Sequence, residues 1–224
     1  MRCALVLLAL PLAVVGCGGG GGHGSAATAP RGSTTRATLD VESGATSITV
    51  RAAAIGDDLY RVSTPRGAGV AASVVHDGNR VQVFTHGKGA GPAALVVAVS
   101  PSVRWRVRVN GGASDLVVDF GAGKLASASV AAGDARATFT LSRPTGDVPI
   151  GLSGGASELD VHAPPGVPVR VSIDGGASSL ILDGIHRTGI AAGTVVTPPG
   201  WTSATARYDL VAHAGVSAIT VDRR

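Results

Sequence analysis

Apolar and polar residues alternate with a period of two along most of the chain after about residue 37, and this alternation predicts short β-strands. It is clearest around three copies of the tetrapeptide Gly-Gly-Ala-Ser, which begin at Gly111, Gly154 and Gly175. Two alternate apolar positions follow each copy, such as Leu159 and Val161, and a second alternating run precedes each copy. Each tetrapeptide is therefore predicted to form a corner between two strands.

The corners recur with a near-constant period. Counted from the second glycine of each copy, the four central corners are 21, 22 and 21 residues apart, and weaker copies lie further out. The six positions are Gly44, Gly112, Gly133, Gly155, Gly176 and Gly215. A unit of this size cannot bury its apolar face alone, so the copies must stack. We predict an all-β fold, a right-handed parallel β-solenoid (single-stranded β-helix) with rungs of about 21 residues. The alternative is an antiparallel β-sandwich.

The residues of the corner motif are predicted to be structural. Paired glycines permit a positive φ and a tight corner, and the serine hydroxyl is expected to bond to the turn backbone in a ladder along the stack. A nucleophile elbow needs glycine two residues after the serine, where each copy has leucine. We therefore predict no catalytic residue in the motif. The predicted turn residues are Gly111, Gly112, Ser114, Gly154, Gly155, Ser157, Gly175, Gly176 and Ser178.

The N-terminal segment predicts where the protein is located. A positive residue, Arg2, precedes a short apolar stretch that ends in the letters VVGC, which resemble a bacterial lipobox. We predict a lipoprotein signal peptide over residues 1–16, lipidation of Cys17, a flexible Gly/Ser-rich tether over residues 17–36, and a β-solenoid domain over residues 37–224. The predicted location is the extracytoplasmic face of the cell membrane, with the lipid as the anchor.

Charge and aromatic content argue against nucleic acid as a partner. The net charge is +4 and aromatic residues make up 3% of the chain, without the interleaving of basic and aromatic residues that single-stranded nucleic acid needs for stacking. Arg104, Arg106 and Arg108 alternate with apolar residues and form one outward row on a strand. We interpret this row as a solvated strand face. The alternative is a patch for anionic lipid headgroups or cell-wall polymers.

One cluster of polar residues is a weak candidate for a metal site. Glu158, His162 and Asp183 are predicted on the outward face, and rungs that follow one another at about 4.8 Å would bring them together around a divalent cation. An ordinary solvated strand face is the favoured interpretation. We predict no cofactor and no dedicated metal site. A pair of these carboxylates could serve a glycosidase, but the chain offers few aromatic residues to stack a sugar.

The repeated run Gly-Gly-Ala-Ser-x-Leu-x-Val/Leu resembles the bacterial adhesin-like β-helix domains of unknown function, the toastrack and head-GIN group. The resemblance covers residues 38–221 and implies a cell-envelope protein without catalytic residues. We therefore predict a lipid-anchored envelope protein with a non-catalytic, adhesin-like binding or structural module, whose partner is an envelope polymer or protein. The alternative is a carbohydrate-active β-helix enzyme, a polysaccharide lyase or glycosidase acting on envelope polysaccharide.

Overall fold

The computed structural model describes residues 26–224, and every helix or strand element within them is a β-strand. The strands form two sheets. In spatial order, the ten-stranded sheet contains β1 (Ala26–Pro30), β4 (Asp58–Ser63), β7 (Ala94–Val99), β3 (Ala45–Ala52), β9 (Ala113–Phe120), β11 (Asp134–Leu141), β13 (Ala156–Ala163), β19 (Val216–Arg223), β15 (Ala177–Leu182) and β16 (Ile185–Ile190). The nine-stranded sheet contains β17 (Thr194–Val196), β14 (Val169–Ile173), β18 (Arg207–Ala212), β12 (Asp147–Leu152), β10 (Lys124–Val130), β8 (Arg104–Val109), β2 (Arg36–Val41), β6 (Arg80–Gly87) and β5 (Val70–Asp77).

Both sheets are mixed. From β8 to β15 the chain alternates between the sheets, and β9, β11 and β13 pair in parallel in one sheet while β8, β10 and β12 do so in the other. The pairs β1/β4, β4/β7, β5/β6, β14/β17 and β15/β16 are antiparallel. The predicted all-β class is confirmed. A purely parallel stack is not what the structure has, because antiparallel strands cover both ends of each sheet.

The order of rungs also differs from the order along the chain. A rung here means one strand of the nine-stranded sheet and the ten-stranded-sheet strand that follows it. The rung β18/β19 lies between β12/β13 and β14/β15, because β19 pairs with both β13 and β15. Strand β15 pairs with β16 along one edge and with β19 along its other edge. The sequence period therefore does not identify neighbouring rungs near the ends.

The apolar side chains of alternate positions form one continuous core between the sheets. Leu159 and Val161 are fully buried, as the alternation predicts. Tyr208 is also buried; its hydroxyl donates to the Ser142 carbonyl at 2.7 Å, and burial raises its pKa to about 12. The indole of Trp105 likewise donates to a main-chain carbonyl, that of Ser100, at 3.0 Å. The two largest buried side chains thus keep their polar atoms hydrogen-bonded.

The structure differs from part of the predicted tether. Ala26–Pro30 forms strand β1, which pairs with β4 at the edge of the ten-stranded sheet, and Ala29 is buried there. Low-complexity composition did not prevent pairing because an open strand edge offers main-chain hydrogen bonds to any sequence. The predicted signal peptide and Cys17 lie outside the described residues. Within residues 26–224, the structure contains no helix that could cross a bilayer.

Candidate functional site

The predicted turn residues lie at the corners between the two sheets, where they form a column along the stack. Its spatial order is Gly44, Gly112, Gly133, Gly155, Gly215 and Gly176. Within the described residues, main-chain hydrogen bonds join successive corners at four of the five steps: the amide after one glycine donates to the carbonyl of the next, as from Ala45 to Gly112 at 3.2 Å and from Val216 to Gly176 at 3.1 Å. At the step from Gly112 to Gly133, the Ala113 amide donates to the side chain of Asp134 instead. The column is thus a ladder of main-chain hydrogen bonds.

Close approach between neighbouring corners explains the first glycine of each pair. A Cβ on Gly111, Gly154 or Gly175 would lie 2.1–2.4 Å from main-chain atoms of the adjacent corner. The expected positive φ occurs at one of the predicted turn glycines, Gly176, where φ is 84°. The expectation of left-handed glycines was therefore wrong at the other positions. At Gly111, Gly112, Gly154 and Gly175 a Cβ would lie 2.1–2.8 Å from the neighbouring backbone, so a side chain there would overlap it.

The predicted hydroxyl ladder is not found. Ser114, Ser157 and Ser178 are exposed, and within the described residues none of these hydroxyls forms a hydrogen bond. The backbone groups of the corners already form hydrogen bonds with neighbouring corners, and the serine side chains extend into solvent. No histidine or carboxylate in the described part of the chain is hydrogen-bonded to these serines.

Asp134 replaces the alanine or valine that follows the second glycine in the other corners. The residue is 7% exposed, and its Oδ1 accepts a hydrogen bond from the Ala113 amide at 2.7 Å, while Oδ2 has no partner within the described residues. Burial raises the pKa of Asp134, and the Ala113 hydrogen bond partly opposes that shift. Sequence analysis did not single out this residue, although a lone carboxylate at an otherwise small position was a visible signal.

The structure does not bring Glu158, His162 and Asp183 together. Glu158 accepts from Arg136 at 2.7 Å. His162 Nδ1 lies 2.6 Å from Asp222 Oδ1. Strand β19 lies between β13, which carries His162, and β15, beyond whose end Asp183 lies, so the predicted cluster was wrong in its assumed rung order.

Asp183 instead forms a bidentate ion pair with Arg223. Arg223 donates from Nε to Asp183 Oδ1 at 2.6 Å and from Nη2 to Oδ2 at 2.8 Å. Asp183 is also a non-glycine residue with a positive φ, 52°. Within residues 26–224 no three histidine, cysteine, aspartate or glutamate side chains cluster as metal ligands would.

The predicted arginine row lines an open groove of about 820 Å³ on the outer face of the nine-stranded sheet. We call this the arginine groove. It is lined by Arg36, Ala37, Thr38, Asn79, Arg104, Arg106, Arg108, Ala126, Ser127, Asp147 and Pro149. Strand register sets the positions: Arg36 on β2 pairs with Arg104 on β8, and Thr38 pairs with Arg106. The neighbour of Arg106 on the other side is Ser127, next to a bulge at Ala126.

The arginines of the groove have few counter-charges. Arg108 lies 3.8 Å from the buried carboxylate of Asp40, which Arg80 also binds. Within the described residues, no carboxylate lies within ion-pair distance of Arg36, Arg104 or Arg106. Arg104 donates to the carbonyl of Thr145 at 3.3 Å, and its Nε is buried without a hydrogen-bond partner among residues 26–224.

The carboxylate that lines the groove is engaged elsewhere. Arg207 donates from Nη2 to Asp147 Oδ2 at 2.8 Å. The guanidinium of Arg207 also stacks on Trp201, at 4.7 Å from the ring centroid, and Arg170 stacks there at the same distance. This geometry holds Arg207 against Asp147. The groove therefore presents a net positive surface.

Arg36 is the arginine of the groove that sequence analysis did not identify. It was assigned to the end of the tether, whereas it begins strand β2. The alternation from Arg36 to Val41 was the signal that could have identified the strand. Its partner Arg104 was identified, but their pairing depends on two strands that are 68 residues apart.

Comparison with known proteins supports the fold alone. No family model matches the chain, and no curated protein matches it. A crystal structure of "a putative cell adhesion protein" from Clostridium sporogenes is similar, with a TM-score of 0.69 and 11% sequence identity. The similarity covers 91% of this chain and 100% of the Clostridium chain. The chain thus shares the fold of that Clostridium protein.

Proposed function

We propose that this chain is a lipid-anchored protein of the bacterial cell envelope whose all-β part is a non-catalytic, adhesin-like binding or structural module. The observation that carries the proposal is the fold shared over 91% of the chain with the Clostridium protein. The lipobox-like run before Cys17 supports the anchor and the extracytoplasmic location. The partner is an envelope polymer or protein.

We further infer that the central rungs form a right-handed β-solenoid. The inference is supported by the alternation of β8 to β15 between the sheets and by the parallel pairing of successive rungs. The antiparallel strands at both ends then act as caps that cover the open edges. An experimental structure with left-handed crossovers between these rungs would contradict this inference.

The anchor is tested by removing one thiol at a time. Cys17→Ser should abolish incorporation of labelled fatty acid and shift the mature protein from the membrane fraction to the soluble fraction. Cys3→Ser changes the other cysteine of the chain, lies inside the predicted signal, and should leave labelling intact. Equal labelling of Cys17→Ser and the unchanged chain would overturn the lipid anchor.

The binding role is tested with native envelopes. The full chain, purified in a non-ionic detergent, is incubated with washed envelopes, and both the bound fraction and any soluble sugar released are measured. Saturable retention without release of oligosaccharide is the expected result. Time-dependent release of oligosaccharide would instead identify a carbohydrate-active enzyme. Absence of saturable retention would overturn the binding role.

A further inference from the structure

The arginine groove combines four cations with almost no local compensation. Arg36, Arg104, Arg106 and Arg108 line one open surface, and the lining carboxylate Asp147 is held by Arg207. Like charges held this close repel one another, so the arrangement is stabilised when an anion neutralises it.

The spacing of the arginines fits a linear ligand. Arg104, Arg106 and Arg108 occupy alternate positions of β8, which places their Cα atoms about 6.6 Å apart along the strand. Arg36 lies beside Arg104 on the neighbouring strand, about 4.8 Å away. Two guanidinium groups at one end and single ones further along can thus contact successive anionic groups of one extended chain.

Phosphate suits this arrangement better than carboxylate. A guanidinium donates in a planar fork, and one fork can occupy both oxygens of a carboxylate. The two unesterified oxygens of a phosphate within a polymer are held by a tetrahedral phosphorus and can accept hydrogen bonds from directions outside one plane, so one phosphate can accept from Arg36 and Arg104 together. Hydroxyl groups of Thr38 and Ser127 flank Arg106 and add neutral donors.

A polymer suits the groove better than a membrane surface or a nucleic acid. The exposed large apolar residues within the described chain are Val75, Ile181, Ile185 and Val195, and none lines the groove, so no side chain there would insert among lipid tails. The lining contains no aromatic residue on which a base could stack.

We propose that the arginine groove is a binding site for a linear polymer that carries phosphate groups. The proposal gives the binding module of the proposed function its ligand class, and it rests on that function only for the location of the polymer in the envelope. Binding itself is a property of the groove, so a failure of lipid labelling at Cys17 would leave this site intact.

The test measures affinity of the purified full chain, in non-ionic detergent, for inorganic polyphosphate of defined length by titration calorimetry at several salt concentrations. Binding should weaken steeply as salt rises. Polygalacturonate of matched charge, a mixed-sequence oligodeoxynucleotide and vesicles with one third anionic phospholipid are compared. Polyphosphate should bind at least about tenfold more tightly than the polygalacturonate, because two forks can share one phosphate. Tighter binding of any other probe, or no binding of polyphosphate, would overturn the proposal.

Variants locate the site. Arg36→Gln and Arg106→Gln should each raise the dissociation constant for polyphosphate about tenfold, as expected for the loss of a charge-assisted contact. Arg187→Gln is the matched control: Arg187 is an exposed strand arginine on β16 in the other sheet, and its loss should change affinity less than twofold. If Arg106→Gln and Arg187→Gln weaken binding equally, polyphosphate is attracted by the net positive charge of the protein and the arginine groove is not its binding site.

The conservative change separates geometry from charge. Arg106→Lys keeps the positive charge and removes the fork, so it should still weaken polyphosphate binding about threefold and reduce the preference over polygalacturonate. Full recovery of the original affinity and preference by lysine would contradict recognition by the fork. Arg36 and Arg106 are exposed, so the melting temperature of each variant should remain that of the unchanged protein.

Discussion

Replacing Gly154 by alanine tests whether contact between neighbouring corners holds the stack together. A Cβ on Gly154 would lie 2.2 Å from the carbonyl carbon and oxygen of Ala132 and 2.5 Å from the amide nitrogen of Gly133. These are main-chain atoms held by the ladder of parallel strands, so they cannot rotate away as a side chain would. Relief of the overlap requires the rungs to separate locally by about 1 Å, which disturbs the main-chain hydrogen bonds of the corner.

The expected cost follows from that overlap. Overpacking of a rigid site costs about 1–3 kcal/mol and occasionally more, and we place this change near the top of the range because backbone meets backbone. Alanine also restricts the backbone of the unfolded chain, which stabilises the folded state relative to it by about 0.4–1 kcal/mol. The free energy of unfolding should therefore fall by about 2–3 kcal/mol. For a protein of this size the melting temperature should drop by about 4–12 °C.

Gly151→Ala provides the matched control. Gly151 lies on β12, three residues before Gly154; it has no positive φ, and a Cβ there would meet no atom within 4 Å. The same chemical change should therefore be neutral or stabilise the fold by up to about 1 kcal/mol. Urea unfolding followed by circular dichroism measures both variants. Equal midpoints for Gly151→Ala and Gly154→Ala would refute the explanation of the glycine pairs by close approach.

Three further changes test the core and the corners. Leu159→Asp buries a charge without a partner and should cost at least about 3 kcal/mol in unfolding free energy, whereas the outward Asp160→Asn should be nearly silent; equal melting temperatures would contradict the alternation. Burial raises the pKa of Asp134, so the folded state binds its proton more tightly than the unfolded chain, and the unchanged protein should lose stability as pH rises above about 4. Asp134→Asn should therefore be more stable than the unchanged protein above that pH. If both proteins show the same dependence of stability on pH, the pKa of Asp134 is not raised. Ser157→Ala should change the free energy of unfolding by less than about 0.5 kcal/mol, because the exposed Ser157 hydroxyl has no partner within the described residues. A fluorophosphonate probe should not label the unchanged protein. Labelling that is lost in Ser157→Ala would instead identify Ser157 as a nucleophile.

The local structure of this chain follows from its sequence. Side chains of a strand point alternately to opposite faces, so Leu159 and Val161 had to face the core once the segment was extended. The paired glycines likewise predicted the corners, although the reason for the first glycine of each pair is contact with another rung. Glycine spacing could not distinguish that contact from a positive φ, because both favour a residue without Cβ.

The neighbours of each rung were decided by tertiary structure. The rungs are alike in length and apolar pattern, and main-chain hydrogen bonds do not depend on side-chain identity, so the repeat permits more than one stacking order. The order that occurs places β19 beside β13, which joins His162 to Asp222 and separates it from Asp183.

The arginine groove arises in the same way. The row on β8 is visible in the sequence, but the groove also needs Arg36, whose strand β2 lies beside β8 although strands β3 to β7 intervene in the chain. The sequence therefore determined the strands, their buried faces and their corners, because these depend on local geometry. Only the packed structure determined which charges meet, because that depends on which strand edges remain open when the antiparallel ends are in place.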